Sequence, residues 1–189
     1  QILPLFPENI NRFIDLFAGG CNVGINSKSN KVIYNEKQTE IVDLFKNLHK
    51  TPLNETLELI DSTISYYNNI STKEDYINLR NDHHVTKEWH KLFVLCCYAF
   101  NFAVRFNSKG GFNMTSGVGR STYNESIKQR LLDFTNHIQK LNMEFINKDF
   151  RDIDLSYLGE NDFVYIDPPY LITTASYNEN GGYMTCLMN

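Results

Sequence analysis

The residues best suited to chemistry form the tetrapeptide Asp167-Pro168-Pro169-Tyr170. Two consecutive prolines fix a rigid turn without backbone donors, so the turn presents an acid and an aromatic ring together. The preceding run, Phe163-Val-Tyr-Ile166, has the composition of a short buried strand. A functional turn at a strand end is therefore favoured over a chance surface turn.

Three other segments place polar or glycine residues directly after predicted strands. Glycines in Asp15-Leu-Phe-Ala-Gly-Gly20 let the backbone approach a ligand closely, although a structural tight turn is the alternative. Glu36 is placed to accept hydrogen bonds from both hydroxyls of a ribose, and a solvated acid at a helix start is the alternative. Asp149-Phe150 offers an acid and a ring to an adenine, but the dipeptide alone is uninformative.

A basic segment follows the middle of the chain. The net charge of −4 argues mildly against a nucleic-acid partner, because neutralising phosphates requires Lys and Arg. From residue 105 to residue 130, however, a single acid, Glu125, faces five cations: Arg105, Lys109, Arg120, Lys128 and Arg130. This local distribution favours a confined contact with phosphates.

The elements that must position these residues follow from hydrophobic periodicity. Strands are predicted at 12–17, 31–35, 144–147 and 163–166, and amphipathic helices at 41–48, 53–67 and 127–141. A capping box at Ser71-x-x-Glu74 would open another helix, a buried helix is predicted near 87–105, and 107–120 is a loop or irregular hairpin. Strand, turn and helix alternate at both ends, which predicts an α/β sheet with a helical insert.

Composition excludes several classes of protein. With 42% hydrophobic and 21% charged residues, the chain is ordinary globular material rather than a disordered one. No segment resembles a membrane span or a secretory signal, so we expect a cytoplasmic protein without a membrane partner. The four cysteines form no C-x-x-C pair and no zinc-like spacing, so no metal site is indicated.

The ordered set of motifs resembles the Dam-like, D12 class of DNA adenine-N6 methyltransferases. Asp15–Gly20 is similar to motif I of that family, Asp167–Tyr170 to its DPPY motif IV, and Arg105-Phe-Asn-Ser-Lys-Gly-Gly-Phe-Asn113 to the R-[FY]-N-x-x-G-x-F-N stretch of its recognition domains. The usual F-x-G-x-G of motif I is Phe17-Ala-Gly-Gly-Cys21 here, so its last glycine is replaced. The family's N-terminal G-G-K motif and its motifs beyond DPPY are missing, so we expect a fragment.

The resemblance implies a Rossmann-like class I methyltransferase sheet, formed by 1–52 and 141–189, and an inserted, mainly helical recognition domain at 53–140. It implies S-adenosyl-L-methionine as the cofactor, bound by Asp15, Phe17, Gly19, Gly20, Glu36, Asp149, Phe150 and Asp167. Double-stranded DNA would be the partner, contacted by Arg105, Asn107, Lys109, Asn113 and Arg120. For the two asparagines, a role in stabilising the loop is an equal alternative.

The implied chemistry is methyl transfer to adenine N6. The Asp167 carboxylate and the Pro168 carbonyl would accept the amino hydrogens of a flipped-out adenine, and Tyr170 would stack on it, with Asp167, Pro168, Pro169 and Tyr170 as the catalytic set. A monomeric, bacterial or phage-encoded enzyme is implied. It would either act beside a cognate restriction endonuclease of the same system, without a stable complex, or act alone.

Rival functions remain open at this point. Related enzymes methylate cytosine N4, RNA or a protein glutamine, but the Asp at the first position of the tetrapeptide favours adenine. A truncated remnant that binds nucleic acid or cofactor without turnover is the alternative from another class. An NAD-type dehydrogenase is disfavoured, because no G-x-G-x-x-G follows the first strand.

Overall fold

A parallel sheet of four strands forms the centre of the computed structural model, which describes residues 2–168. The strands are β1 (Ile10–Asp15), β2 (Ser29–Asn35), β3 (Met143–Ile146) and β4 (Asp162–Tyr165). Their order is β3-β2-β1-β4, and every neighbouring pair is parallel. The predicted α/β, Rossmann-like class is confirmed, and each predicted strand is present within one or two residues.

Five α-helices accompany these strands within the described range: α1 (Thr39–Lys50), α2 (Leu53–Tyr66), α3 (Lys73–Thr86), α4 (Trp89–Tyr98) and α5 (Glu125–Ile138). Every residue of α4 from Leu92 to Tyr98 is buried, because α1, α2 and α3 all pack around this helix. Its apolar run is therefore explained by burial on all sides rather than by one amphipathic face.

The predicted capping box is wrong by one residue. Thr72 caps α3: its Oγ1 accepts from Asp75 N at 3.1 Å, and the Asp75 carboxylate accepts from Thr72 N at 2.8 Å. An N-cap residue needs an extended backbone, which Thr72 has, whereas Ser71 ends the preceding 3-10 turn with helical angles. Local spacing alone does not distinguish two adjacent hydroxyl residues.

The prediction of a buried helix over 87–105 is wrong at its C-terminal end. The helix stops at Tyr98, and Asn101 and Phe102 adopt left-handed φ values of 55° and 53°. The chain then pairs with a later segment through the antiparallel bridges Ala99↔Ser116 and Phe106↔Phe112. Residues 99–117 therefore form an irregular hairpin, called here the 99–117 hairpin, as one of the two interpretations of 107–120 predicted.

One hydrophobic core runs from the sheet into the helical region. On β2, the ring of Tyr34 lies 5.6 Å from Phe45 of α1 and 5.5 Å from Phe145 of β3. The same cluster includes α4 and, from the 99–117 hairpin, Phe106 and Phe112. The division into a catalytic domain and an inserted domain at 53–140 stays a prediction, since this core joins both parts.

A smaller cluster lies on the opposite face of the sheet. Ile14, Leu16 and Ile33 pack there against apolar residues of the segment between β3 and β4. This segment begins at the carboxyl end of β3, and its packing holds its first residues beside the ends of β1 and β2. No helix in the described part of the chain is long and apolar enough to cross a membrane.

Candidate cofactor site and nucleic-acid surface

The strand order reverses between β1 and β4, and the edge of the sheet at their carboxyl ends is called here the crevice. The chain moves outward from β1 to β2 and β3, and β4 then pairs with the opposite side of β1. In open parallel sheets, ligands bind where the strand order reverses in this way, beyond the carboxyl ends of the strands. Asp15, which ends β1, pairs with Tyr165, which ends β4, so the glycine turn and Asp167 both follow at this edge.

The glycine turn after β1 is held from β2. Tyr34 Oη donates to Gly19 O at 2.8 Å, and the Glu36 carboxylate accepts from Gly19 N at 3.1 Å. Gly19 has a φ of +47°, and Gly20 beside it is half-buried. Cys21, which replaces the last glycine of the motif, has a φ of +64° that glycine adopts without strain. The turn is therefore retained despite the substitution.

Asp15 is a buried acid beneath this turn. Only 2% of the residue is exposed, and its Oδ2 accepts from Gly24 N at 3.1 Å. Burial raises the pKa of Asp15 to about 7; the Gly24 hydrogen bond opposes this, while the charges of Asp167 and Glu36 add to it. The charges of Glu36 and Asp167 thus both act on the Asp15 carboxyl group, and a cationic ligand at this edge would offset them.

Asp149 and Phe150 lie at the end of β3 with partners of their own. Asp149 accepts from both Nε and Nη2 of Arg151 at 2.8 Å, and Lys37 Nζ lies 3.1 Å away. The Arg151 hydrogen bonds hold the pKa of Asp149 well below its usual range. Phe150 is 47% exposed and its ring lies 5.1 Å from that of Phe17. The two rings offer a planar ligand an apolar surface, whereas a ligand at the Asp149 carboxylate would replace an existing partner.

The end of β4 carries the predicted catalytic residues. Asp167 and Pro168 are both exposed, and the hydroxyl of Tyr165 lies 3.4 Å from Asp167 Oδ2. The carboxylate therefore faces solvent with only one long contact to the rest of the described chain. The other two predicted residues, Pro169 and Tyr170, lie outside the described residues.

Asn35 joins the strand ends and was not predicted. The residue is 2% exposed, its Nδ2 donates to Leu16 O at 3.0 Å and to Lys148 O at 3.2 Å, and its Oδ1 accepts from Lys148 N. One side chain thus links the ends of β1 and β3 across β2. The available signal was an Asn at a buried strand position, where this residue type is disfavoured unless its amide is fully bonded.

Two of the predicted DNA-contacting residues stabilise the 99–117 hairpin itself. Arg105 donates from Nε and Nη2 to Asn113 O at 3.2 and 3.0 Å. Asn107 Oδ1 accepts from the backbone nitrogens of Lys109 and Gly111 at 2.9 and 3.0 Å. These contacts favour the loop-stabilising interpretation of Asn107, and they leave Arg105 only part of its guanidinium for another ligand.

The remaining predicted contacts are exposed. Lys109 and Asn113 lie near the tip of the hairpin, and Arg120 lies beyond its base with its guanidinium 5.9 Å from the ring centre of Phe100. Arg105, Lys109 and Arg120 form no ion pair with any residue from 2 to 168. Their charges are therefore available to an external anion.

Helix α3 supports the hairpin through a polar stripe that sequence inspection missed. Tyr76 Oη and Arg80 Nη1 donate to Met114 O at 3.2 and 3.3 Å, and His84 Nε2 donates to Phe112 O at 2.9 Å. These three side chains recur every four residues, the spacing that places them on one helix face. Arg80 Nε is buried without a hydrogen-bond partner in the described structure. Arg80 thus stabilises the contact between α3 and the hairpin.

A parallel sheet with acids at the reversal of strand order defines an α/β protein of the class in which ligands bind at this edge. The particular family follows from sequence comparison. The family model described as D12 class N6 adenine-specific DNA methyltransferase matches residues 1–186, and the chain belongs to this family. The resemblance found in the motifs is confirmed.

Several relatives carry corresponding names. "Modification methylase StsI" of Streptococcus sanguinis is 40% identical over 180 residues, which are 95% of this chain and 28% of the relative. "Type II methyltransferase M.FokI" of Planomicrobium okeanokoites is 40% identical over 185 residues, 97% of this chain and 29% of the relative. "DNA adenine methylase" of Haemophilus influenzae is 25% identical over 174 residues, which are 90% of this chain and 58% of the relative. The chain thus spans less than a third of the length of the first two relatives.

Proposed function

We propose that this chain contributes the cofactor site and the DNA-contacting surface of a site-specific, S-adenosylmethionine-dependent DNA adenine-N6 methyltransferase. The observation that carries the proposal is the grouping at the reversal of strand order: Asp15 and Glu36 both hold the turn after β1, and Asp167 follows the end of β4, which pairs with the end of β1. Family membership and the names of the relatives support the same activity.

The residues at the crevice fit the proposed cofactor. Glu36 Oε2 and Oε1 each accept one backbone hydrogen bond, from Gly19 and Gln38, which leaves acceptor capacity for ribose hydroxyls. The rings of Phe17 and Phe150 suit a purine, and the surrounding carboxylates favour a cation. When bound, S-adenosylmethionine supplies an electrophilic methyl group on a positively charged sulfur.

Asp167 and the Pro168 carbonyl have the chemistry needed to activate the acceptor. The amino group of adenine is a poor nucleophile, because its lone pair is delocalised into the ring. Acceptors at both amino hydrogens draw that pair back onto nitrogen and aim it at the methyl group. Formation of the carbon–nitrogen bond would break the bond between the methyl group and sulfur. The methylated amine, now strongly acidic, would then release its proton to the Asp167 carboxylate or to water, so Asp167 orients the amine and need not be a strong base.

The DNA surface would follow α3 and the 99–117 hairpin. Helix α3 has 14 residues and is therefore about 20 Å long, the length of about six base pairs. The hairpin contacts the C-terminal part of α3 near its tip, through His84. Arg120 shares a cleft with three residues that precede the N-terminus of α3: Asn69, Ile70 and Ser71. Lys109 and Arg120 therefore lie near opposite ends of a cationic track, with Arg105 and Arg80 between them.

The setting of the activity is part of the same proposal. The names of the relatives favour a modification enzyme in a bacterial or phage restriction-modification system, with double-stranded DNA as substrate. A cognate endonuclease would recognise the same site, without a stable complex, and the enzyme would act as a cytoplasmic monomer.

Transfer of a labelled methyl group to DNA tests the proposal in the full-length protein. Asp167→Ala is expected to lower turnover at least a hundredfold, since it removes an acceptor used in the transition state, while DNA affinity is retained. Asp133→Ala, at an exposed site on α5, is the matched control. Near-normal turnover of Asp167→Ala would refute the assignment, and mass spectrometry of the product distinguishes N6-methyladenine from N4-methylcytosine.

Calorimetry distinguishes the proposed enzyme from a truncated remnant without turnover. A functional crevice binds S-adenosylmethionine in the wild-type protein, whereas a remnant without turnover shows weak binding or none. Methylated RNA in place of methylated DNA would identify the other rival substrate.

A further inference from the structure

A chain of polar contacts leads from the candidate ribose acid to the start of α1. Glu36 Oε1 accepts from Gln38 N at 2.9 Å, and the side-chain amide of Gln38 donates to the carboxylate of Glu40. Lys87 Nζ lies 3.1 Å from the other oxygen of Glu40. The Glu40 side chain is only 13% exposed, so this carboxylate lies within the packed structure rather than on a solvated helix face.

The tip of the 99–117 hairpin lies near the same carboxylate. A Cβ atom built on Gly110 would be 3.9 Å from Glu40 Oε1, and Gly110 has a φ of +77° that favours glycine. The next contact of the tip is to His84, at the C-terminal end of α3. The hairpin that carries Lys109 therefore meets α1 at the residue that is connected through Gln38 to Glu36.

The backbone of Lys87 supports a specific role for its side chain. Lys87 ends α3 with φ 57° and ψ 21°, a left-handed conformation that helices usually assign to glycine. A lysine at this position keeps a strained backbone while its ammonium group pairs with Glu40. The pair fastens the end of α3, and with it the base of the His84 contact, to the start of α1.

We propose that Glu40 is a positioning residue that couples the cofactor site to the DNA-contacting hairpin. The proposal rests on the proposed function, because it assigns Glu36 to the cofactor and the hairpin to DNA. Cofactor contact at Glu36 orders Gln38 and Glu40, and Glu40 in turn pairs with Lys87 beside the tip at Gly110. DNA then binds more tightly when the cofactor site is filled, and the reverse holds by linkage.

The coupling is measurable as a ratio of two dissociation constants in the full-length protein. DNA affinity is determined by fluorescence anisotropy, with a duplex that the protein methylates, in the absence and presence of saturating S-adenosylhomocysteine. The wild type is expected to bind DNA about tenfold more tightly with this ligand present. Glu40→Gln is expected to bring the ratio close to one, while its affinity for S-adenosylhomocysteine without DNA stays within about twofold of the wild type.

Two further variants separate positioning from general stability. Glu144→Gln removes a more exposed ion pair on the sheet, with Lys31 at 2.6 Å, and is expected to keep the wild-type ratio. The double variant Glu40→Lys with Lys87→Glu restores the ion pair with the charges exchanged and is expected to recover part of the ratio. This double variant also tests the proposal if Glu40→Gln folds poorly.

The outcomes distinguish this proposal from the proposed function. Three results overturn the role of Glu40 while both ligands still bind. They are a wild-type ratio in Glu40→Gln, an equal loss of the ratio in Glu144→Gln, and a ratio of one in the wild type. Failure of the wild type to bind S-adenosylhomocysteine overturns the proposed function, and the coupling proposal with it.

Discussion

Asp15 predicts an unusual dependence of stability on pH. Because burial raises its pKa from 3.8 to about 7, the folded protein holds this proton more tightly than the unfolded chain does. The stabilising contribution of the protonated acid is fully present below about pH 4 and is lost as the pH rises to about 7. The difference between the two pKa values corresponds to about 4 kcal/mol of unfolding free energy.

Asp15→Asn removes this titration while keeping an acceptor for the Gly24 nitrogen, which the wild-type carboxylate accepts at 3.1 Å. At about pH 8 the variant is expected to be more stable than the wild type by up to about 4 kcal/mol, less the cost of placing its new amide donors. Near pH 4, where the wild-type acid is protonated, the difference in unfolding free energy is expected to be close to zero.

Urea unfolding followed by circular dichroism, at several pH values between these limits, measures the difference. Groups that do not interact with Asp15 titrate alike in both proteins, so their contributions cancel when one unfolding free energy is subtracted from the other. A difference that does not change with pH would refute the argument that Asp15 is protonated in the folded protein with an empty crevice. The same substitution is expected to weaken S-adenosylmethionine binding at pH 8, because it removes one negative charge from the site.

Two further predictions concern packing and a buried histidine. An added Cβ at Gly117 would lie 2.7 Å from Ala99 O, so Gly117→Ala is expected to lower the unfolding free energy by about 1–3 kcal/mol in a urea titration. Gly159→Ala is the control, because no atom would lie closer than 3.9 Å to its added Cβ. Equal effects of the two substitutions would contradict the steric argument. Burial lowers the pKa of His83 to about 4, so the unfolding free energy is expected to fall by about 3 kcal/mol as the pH drops from about 6.5 towards 4. His83→Leu is expected to abolish that fall. A variant with the pH profile of the wild type would contradict the role of His83.

Local sequence signals predicted the sheet and the acids at its edge. Short apolar runs before Gly19, Glu36, Asp149 and Asp167 were sufficient to place each residue after a strand, because side-chain periodicity and glycine or proline turns act within a few residues. The boundary errors have equally local causes. The end of the helix at Tyr98 depends on pairing of the following residues with a segment more than ten positions later, which periodicity does not encode.

The partners of charged side chains were not predictable from local patterns. Arg105 and Asp149 were selected as ligand contacts by motif, yet their groups are engaged by Asn113 and by Arg151 with Lys37. A sequence motif specifies which functional groups are present, whereas the free lone pairs and N–H groups depend on what the fold brings beside them. The predicted roles of these residues therefore need direct binding measurements.

For the tetrapeptide at the end of β4, the sequence by itself determined the chemistry on offer: an acid, a carbonyl and a ring on a rigid turn. Only the tertiary structure decided that β4 lies beside β1 rather than β3, which brings Asp167 close enough to influence the charge of Asp15. The reason is that strand order is set by long-range burial and pairing across about 150 residues, as between Arg12 and Asp162, and no local pattern contains that information.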